Sequence, residues 1–207
     1  NRLGASALMQ GLADGYFVLP YTIQNYLADQ AIWPHLSTDL PEFEEAEKHV
    51  QPEIDRLMGI HGKRSVDSIH KELGHIMWEH VGMGRTAEGL KEGLEKIKAI
   101  RKEFDTNLFI PGDKEGLNVE LDKAIHLRDF ITMGELIAYD ALSRNESCGG
   151  HFREEYQTEE GEAKRDDEHY FYVGCWEYQG SDEKAPELLK EPLEYEAIKV
   201  QTRNYKN

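Results

Sequence analysis

The sequence predicts a mainly α-helical chain: an antiparallel three-helix bundle of the spectrin-repeat type, with a helical segment before it and a β-hairpin after it. Between Ser65 and Ser143, apolar residues recur at steps of three and four through three long segments, the spacing of amphipathic helices. Short connections between these segments favour antiparallel neighbours. After Asn145, aromatic and branched residues cluster in short stretches instead, which is typical of strands.

Each of the three bundle segments carries one apolar stripe. The stripes are Val66, Ile69, Leu73, Ile76 and His80 in the first, Ala87, Leu90, Leu94, Ile97, Ile100 and Phe104 in the second, and Leu117, Leu121, Ala124, Leu127, Ile131, Gly134, Ala138 and Ala141 in the third. Ser65 is suited to cap the first helix, and Gly82 and Gly84 are suited to end it. Three helices with one stripe each bury the most apolar surface when the stripes face one another.

The segments before and after the bundle are predicted from their helix-breaking residues and from the spacing of their apolar residues. Ala5 to Asp29 is predicted to be helical with a break near Pro20, because proline lacks the backbone donor and crowds the preceding turn. A loop follows over Gln30 to Leu40, and Pro41 suits the first position of a further helix. This helix, over residues 41–60, is predicted to lie alongside the bundle or to form part of it.

The last segment is predicted to form a wide hairpin. Tyr170 to Tyr178 and Leu193 to Val200 have the composition and the alternation of strands, and the polar stretch Gln179 to Pro192 is predicted to turn between them. Changes in composition near Asp39 and Glu146 divide the chain into residues 1–40, residues 41–145 for the bundle, and residues 146–207 for the hairpin segment.

Charge and composition exclude several classes of function. The chain has 207 residues and a net charge of -16, so it lacks the basic surface that binding to nucleic acid requires. It has no apolar run long enough for a membrane span and no secretory signal. Two cysteines do not make a disulfide framework, and a reducing, cytoplasmic setting is expected.

Two groups of side chains have the residue types of a metal site or a catalytic site but not the required spacing. His70, His75 and His80 are five residues apart, so a helix points them in different directions and they do not converge on a metal ion. Cys148 stands near His151, but neighbouring positions rarely give the geometry of a nucleophile and its base. We therefore predict neither a metal centre nor a catalytic cysteine.

The first eight residues, Asn1-Arg2-Leu3-Gly4-Ala5-Ser6-Ala7-Leu8, place a guanidinium directly before small residues at a helix start. A helix start offers unpaired N–H groups and a positive dipole end, which suits a carboxylate and an electron-rich heterocycle together. The octet resembles the motif N-R-L-G-x-N/A-S-L of the succinate dehydrogenase and fumarate reductase flavoprotein family. A second segment, Glu146 to Tyr156, resembles that family's E-S-R-G-A/G-H-x-R-x-D/E-Y. The order of the two motifs around a helical bundle extends the resemblance over the whole chain.

The resemblance implies roles for four residues of the octet. Arg2 matches the arginine that binds a carboxylate of succinate or fumarate, where a planar fork can hold both oxygens. Ala7 and Leu8 match the pair whose backbone N–H groups meet the pyrimidine edge of the flavin, with Ser6 as a weaker neighbour. Residues 1–40 then correspond to the end of the FAD-binding domain and a connector. In the second motif Cys148 replaces the usual arginine.

The family's activity is the interconversion of succinate and fumarate by hydride transfer to FAD, with electrons passed to an iron–sulfur subunit. The resemblance also implies a membrane-anchor cytochrome b subunit as partner, and a peripheral location on the cytoplasmic face of the inner membrane. In the family, the dinucleotide-binding turn, the histidine that carries the flavin and the proton-shuttle arginine all precede the position of Asn1. We therefore expect this chain alone neither to retain FAD nor to be active.

Two other interpretations remain open. L-aspartate oxidase and related flavoproteins share the N-R-L-G region and the bundle. A helical interaction module without chemistry would make Arg2 an incidental surface residue. The aromatic hairpin and the His-x-Arg-x-Glu-Tyr segment favour the respiratory family.

Overall fold

The computed structural model describes residues 6–28, 36–181, 184–197 and 199–200. Helices dominate the described part of the chain, and a two-stranded antiparallel hairpin lies near its end. This confirms the predicted mainly α-helical class with a terminal β-hairpin. By its internal contacts the chain divides into two compact units, residues 1–56 and residues 57–207. The three domain ranges proposed from composition stay a prediction.

The first unit begins with an interrupted helix. Helix α1 spans Ser6–Ala13, a π-helical turn spans Asp14–Val18, and α2 spans Leu19–Leu27. Pro20 cannot donate a backbone hydrogen bond and its ring crowds the preceding turn, and the widened turn lies directly before α2. There the Leu19 N–H donates to the carbonyl of Asp14, five residues back. The break that the sequence predicts near Pro20 is therefore a π-helical turn.

Helix α3 spans Pro41–Gly59 and runs past the boundary of the first unit. It begins at the predicted proline, and Glu42 and Glu44 occupy its first turn, where carboxylates interact favourably with the positive end of the helix dipole. The predicted packing of residues 41–60 along the bundle stays a prediction.

The second unit contains the bundle. Helices α4, α5 and α6 span Val66–His80, Ala87–Asn107 and Val119–Ser143. Each begins at a side-chain cap: Ser65 accepts a hydrogen bond from the Ser68 N–H, Thr86 accepts from Gly89, and Asn118 accepts from Glu120 and Leu121. Such caps satisfy N–H groups that have no acceptor inside the helix. Ser65 is the cap that the sequence predicts.

The bundle core consists mainly of residues from the predicted stripes, whereas His80 and Ala87 are only half-buried. The buried apolar side chains of the three helices are Val66, Ile69, Leu73, Ile76, Leu90, Leu94, Ile97, Ile100, Phe104, Leu121, Ala124, Leu127, Ile131, Ala138 and Ala141. Leu117 was wrongly assigned to the third stripe, because it precedes the Asn118 cap and is 97% exposed. A residue before the cap does not follow the angular period of the helix.

A short parallel strand pair closes one end of the bundle. Strand β1, Arg64–Ser65, pairs with β2, Leu108–Phe109, so the residues before α4 lie beside the residues after α5. The Gly62 N–H donates to the carbonyl of Leu108 at 2.7 Å, and the Lys63 N–H donates to that of Asn107 at 2.9 Å. This pair was not predicted, because two-residue strands leave no period in a sequence.

Replacing Gly62 by alanine should lower the free energy of unfolding by about 2 kcal/mol. A Cβ atom at this position would lie 2.0 Å from the carbonyl carbon and oxygen of Asn107, so the two backbone segments would have to separate. Urea unfolding of the purified chain measures the change. Gly116→Ala is the matched control, since a Cβ there meets open space. Equal stability of the two variants would contradict the prediction.

The terminal hairpin forms with a different second strand from the predicted one. After the short helix α7, Asp167–Tyr170, strand β3 spans Tyr172–Glu177 and pairs with β4, Glu187–Pro192, in antiparallel register. The prediction of Leu193 to Val200 as the second strand is wrong. Pairing with residues 187–192 needs a shorter connection, whose closure costs less entropy, and Gly180 turns within it at a φ of 81°.

No helix in the described ranges is long and apolar enough to cross a membrane.

Candidate functional site

The residues predicted to contact substrate and flavin stand at the start of the chain. Arg2 and the side chain of Ser6 lie outside the described residues. Ala7 is half-buried and Leu8 is 64% exposed in the first turn of α1. That turn carries no acidic side chain, so no carboxylate there opposes the approach of an anion to the positive end of the dipole. The roles of all four residues stay predictions.

The second motif folds onto the end of α6. Glu146 is 2% exposed, and its Oε1 accepts hydrogen bonds from Arg144 Nη2 at 2.7 Å and from Arg144 Nε at 3.2 Å. Its Oε2 accepts from the Asp166 N–H at 3.0 Å. Because a buried carboxylate needs such donors, Glu146 fixes the start of the motif and the segment before α7 together.

Ser147 and Arg153 form the centre of this segment. Ser147 is fully buried, and its Oγ donates to the carbonyl of Arg153 at 3.1 Å and accepts from the Arg153 N–H at 2.8 Å. Arg153 is 1% exposed, and its Nη1 donates to the carbonyls of Ala141 at 3.1 Å and Arg144 at 3.4 Å. The last carbonyls of a helix have no partner inside it, so Arg153 caps the C-terminal end of α6.

His151 joins the segment to the loop between α4 and α5. Its Nε2 is 3.0 Å from the carbonyl of Arg144 and its Nδ1 is 2.8 Å from Nη1 of Arg85. A carbonyl only accepts and a guanidinium only donates, so the ring is neutral with its proton on Nε2. Burial, and the charges of the nearby arginines Arg85, Arg153 and Arg144, lower the pKa of His151, although the hydrogen bond to the Arg144 carbonyl opposes them.

These contacts determine what the second motif does. Arg85 donates to the carbonyls of Val81 and Gly82, and its backbone pairs with Phe152 and Glu154. The arginines around His151 are therefore engaged by groups of the same chain. This supports a packing role for His151 and Arg153 rather than a direct chemical one.

The surroundings of Cys148 do not favour a reactive thiol. Burial is the main cause that raises the pKa of the Cys148 thiol, and Glu146 adds to it, so the thiol is protonated and a poor nucleophile at neutral pH. Among the described residues no group of histidine, cysteine, aspartate or glutamate side chains could hold a metal ion.

Sequence reasoning missed the partners that hold the segment and the hairpin in place. Arg85 lies in the loop between α4 and α5, where no periodic spacing of residues indicates its role. Trp176 Nε1 donates to Asp140 Oδ1 at 3.1 Å, and its ring packs 6.2 Å from that of Tyr139. These two contacts fix β3 on α6, and they join residues too far apart in sequence for a local pattern to indicate.

Lowering the pH from about 7.5 to about 5.5 should destabilise the chain through His151. The folded pKa is lowered, so near pH 6.5 the unfolded chain binds more protons than the folded one. The stability that the neutral His151 ring contributes is therefore fully present above the pKa of this histidine in the unfolded chain. It is lost as the pH falls toward the pKa of His151 in the folded chain. Urea unfolding of the wild type and of His151→Gln at the two pH values measures it, and the variant should lose less stability on acidification.

His169 provides the control of opposite sign. Its hydrogen bond to Asp166 raises its pKa, so its contribution is present at low pH and is lost as the pH rises through the folded pKa. His169→Gln should therefore lose at least as much stability on acidification as the wild type. Identical pH profiles for His151→Gln and the wild type would refute the assignment.

Comparison with known proteins gives a consistent result. The family described as fumarate reductase flavoprotein C-term matches residues 70–205, about two thirds of the chain. The fumarate reductase flavoprotein subunit of Helicobacter pylori is 24% identical over 200 residues, which cover 97% of this chain and 26% of that protein. The succinate dehydrogenase flavoprotein subunit of Rickettsia bellii is 30% identical over 160 residues, which cover 75% of this chain and 25% of that protein.

A solved structure shares the fold. A mutant of Escherichia coli quinol fumarate reductase aligns with a TM-score of 0.64 and 20% sequence identity, over 81% of this chain and 27% of that one. The chain thus spans about a quarter of the length of the curated relatives it matches. With two thirds of its residues matched by the family and the same helical fold, the chain belongs to the fumarate reductase flavoprotein C-terminal family.

Proposed function

We propose that this chain is the C-terminal part of a flavoprotein subunit of the succinate dehydrogenase and fumarate reductase type, and that the complete subunit interconverts succinate and fumarate. The observation that carries this proposal is the family match over residues 70–205. Relatives named for either reaction match the chain. The position of the N-R-L-G octet ahead of the bundle supports it further.

Arg2 is the residue proposed to bind substrate. A guanidinium presents donors in a planar fork that matches the two oxygens of a carboxylate. Held by one carboxylate, a four-carbon dicarboxylate would keep its central carbons in one orientation, which lowers the entropic part of the barrier. FAD, when bound by the complete subunit, supplies the acceptor for the hydride.

The first turn of α1 is the proposed contact to that cofactor. Ala7 and Leu8 would offer backbone N–H groups, and such contacts do not depend on the side chain. A helix start also stabilises nearby negative charge, and the first turn of α1 carries no carboxylate that would compete for its N–H groups. Ser6 is the neighbouring position, with a weaker claim to a contact.

The partners proposed are an iron–sulfur subunit, which takes electrons onward, and a membrane-anchor cytochrome b subunit. Through these partners the complete protein would lie on the cytoplasmic face of the inner membrane. The chain alone is proposed to be inactive and not to retain FAD, because the other flavin and substrate ligands belong to the preceding part of such a subunit.

The proposal is tested by expressing and purifying the complete gene product and, separately, this chain. The complete subunit, purified and passed through gel filtration, should keep the visible absorption of a flavin and reduce a redox dye when succinate is added. This chain should do neither. L-Aspartate in place of succinate tests the oxidase alternative.

Three outcomes would contradict parts of this proposal. Dye reduction with L-aspartate but not with succinate would favour an aspartate oxidase. A complete subunit that binds no flavin would favour a helical interaction module. Flavin that stays with this chain through gel filtration would overturn the proposal that the chain alone does not retain FAD.

A further inference from the structure

Three exposed apolar side chains form a second stripe along α6. Phe130, Met133 and Ile137 are between 41% and 55% exposed. Their spacing of three and four residues places them on one side of the helix, next to the buried stripe that faces the bundle core. A helix that is apolar on more than one side is normally contacted on more than one side. The second stripe therefore indicates a further partner for α6.

The second stripe borders a groove between α4 and α6. The His70 ring stacks on the Phe130 ring, with the two centroids 5.3 Å apart. Further along both helices, a Cβ atom at Gly134 would lie 3.0 Å from Met77 Sδ, so the glycine lets Met77 lie directly against α6. We call this surface the α4–α6 groove: His70 and Met77 on α4, with Phe130, Met133 and Ile137 on α6.

The α4 side of the groove carries an exposed tryptophan. Trp78 follows Met77 and is 82% exposed. Gly74 lies about one helical turn before it, and a Cβ atom at Gly74 would meet open space, so the surface of α4 is low between His70 and Trp78. Tryptophan, methionine and phenylalanine are enriched in the cores of interfaces, and tryptophan often contributes much of the binding energy. The groove thus has the composition of an interface.

The charge of the chain narrows what can cover the α4–α6 groove. The net charge of -16 opposes binding to nucleic acid and to an anionic membrane surface, since both are negatively charged. Neighbouring exposed side chains that are large and apolar mark contacts with other protein surfaces. The occupant favoured by these two properties is an apolar protein surface.

The rest of the same subunit is the protein surface that the length of the relatives favours. The matched regions make up only 26% and 25% of two relatives, so a subunit of the proposed type contains about three times as much further polypeptide. A domain that the chain itself ties to the bundle meets the groove at a high effective concentration. A second copy or a separate partner has no such advantage.

We infer that in the complete protein an apolar surface of the preceding part of the subunit covers the α4–α6 groove. The inference rests on the proposed function in one respect, since it takes this chain to be the C-terminal part of a larger subunit. It does not require any residue of the groove to touch substrate or flavin. Met133 would lie at the centre of the contact, because it stands between Phe130 and Ile137 in the stripe.

Cysteine labelling compares the groove in the complete gene product and in this chain. Met133→Cys should react readily with N-ethylmaleimide in the chain alone, where the position is exposed. In the complete protein it should react at least about tenfold more slowly, which corresponds to an opening free energy of about 1.4 kcal/mol. Mass spectrometry of the tryptic peptides separates this label from label on Cys148 and Cys175.

Glu95→Cys on α5 is the matched control. Glu95 is exposed and pairs with Lys98 on the surface of the helix, so it offers a partner no apolar surface to cover. The chain and the complete protein should therefore label Glu95→Cys at equal rates. If Glu95→Cys is protected as strongly as Met133→Cys, the protection is a general effect of the larger protein and the inference is wrong.

A charge placed in the groove tests whether the contact is apolar. Adding Ile137→Glu to Met133→Cys should bring labelling in the complete protein to the rate of the same double variant in the chain alone, because the contact would bury a carboxylate without a partner. Adding Ala99→Glu, at an exposed position of α5, should leave Met133→Cys protected. Circular dichroism verifies that each variant is folded. Protection that survives Ile137→Glu would contradict an apolar contact.

The outcomes separate this inference from the proposed activity. A complete protein that reduces the dye with succinate, while Met133→Cys reacts as fast as in the chain alone, overturns the inference and leaves the activity standing. A complete protein without flavin in which Met133→Cys is protected overturns the activity and supports the inference. Protection that is already present in the chain alone, and that rises with its concentration, places a second copy over the groove and overturns the inference.

Discussion

Replacing Arg153 by methionine should lower the free energy of unfolding by about 3 kcal/mol, the largest effect on stability that we expect from one substitution in this chain. The side chain is 2% exposed, and its guanidinium donates hydrogen bonds to carbonyls at the end of α6 and, from Nε, to Glu155 Oε2 at 3.1 Å. Methionine has a similar length and fills the space, so the loss measures polar contacts. The carbonyls would be left buried without these donors.

Two effects reduce the loss of stability that we expect for Arg153→Met. Glu155 is 39% exposed and can be hydrated when its partner is removed. Arg85 would lose a repulsive neighbour, since the charge of Arg153 lowers the pKa of Arg85, after the larger effect of burial. Both limit the cost to less than that of a fully buried ion pair broken on one side.

Urea unfolding with two comparison variants makes this test specific. Arg153→Lys keeps the charge with fewer donors and should recover part of the stability. Arg128→Met removes an arginine whose side chain is 42% exposed, and should change the free energy of unfolding by less than about 0.5 kcal/mol. Arg153→Met as stable as Arg128→Met would contradict the capping role of Arg153.

Replacing Arg2 by glutamine in the complete subunit should lower kcat/KM for succinate by roughly 10²- to 10³-fold, the scale of losing one well-placed charged donor. The variant removes the fork that is proposed to hold one carboxylate, whereas the proposed contacts to flavin use backbone groups of Ala7 and Leu8. The absorption of bound flavin should therefore persist in the variant. Steady-state kinetics of dye reduction over a range of succinate concentrations gives the change.

Two comparisons separate substrate binding from folding. Arg2→Lys should recover only a small part of the activity, because an ammonium cannot bond to both oxygens in one plane. Arg128→Gln, at a half-buried position of α6, should retain the wild-type kcat/KM. Wild-type activity in Arg2→Gln would remove the substrate role from Arg2, and loss of flavin in it would point to a structural role instead.

The bundle could be predicted from the sequence because its signals are local. The spacing of Ile69, Leu73 and Ile76 on one helix fixes a face, and a polar residue such as Ser65 fixes the start. A face and a start are enough when the partner surface is a similar helix nearby in sequence. The same reasoning failed at Leu117, because the Asn118 cap sets the start of the helix one residue after it.

The second strand of the hairpin could not be predicted from local sequence signals. Residues 193–200 alternate as a strand does, yet β3 pairs with residues 187–192. Strand pairing depends on the length of the connection and on which residues a neighbouring surface accepts. Here Trp176 is held by Asp140 on α6, and Leu188 pairs with Trp176 across the hairpin.

The sequence by itself determined the class of this protein, the three helices with their buried faces, and the motifs by which it resembles its family. Only the tertiary structure decided what His151 and Arg153 contact, which strand completes the hairpin, and that an apolar groove lies between α4 and α6. The physical reason is the separation in sequence between the residues that interact. A helical period and a cap depend on neighbours within a few residues, whereas a buried charge is positioned by donors and acceptors that folding brings together from distant segments.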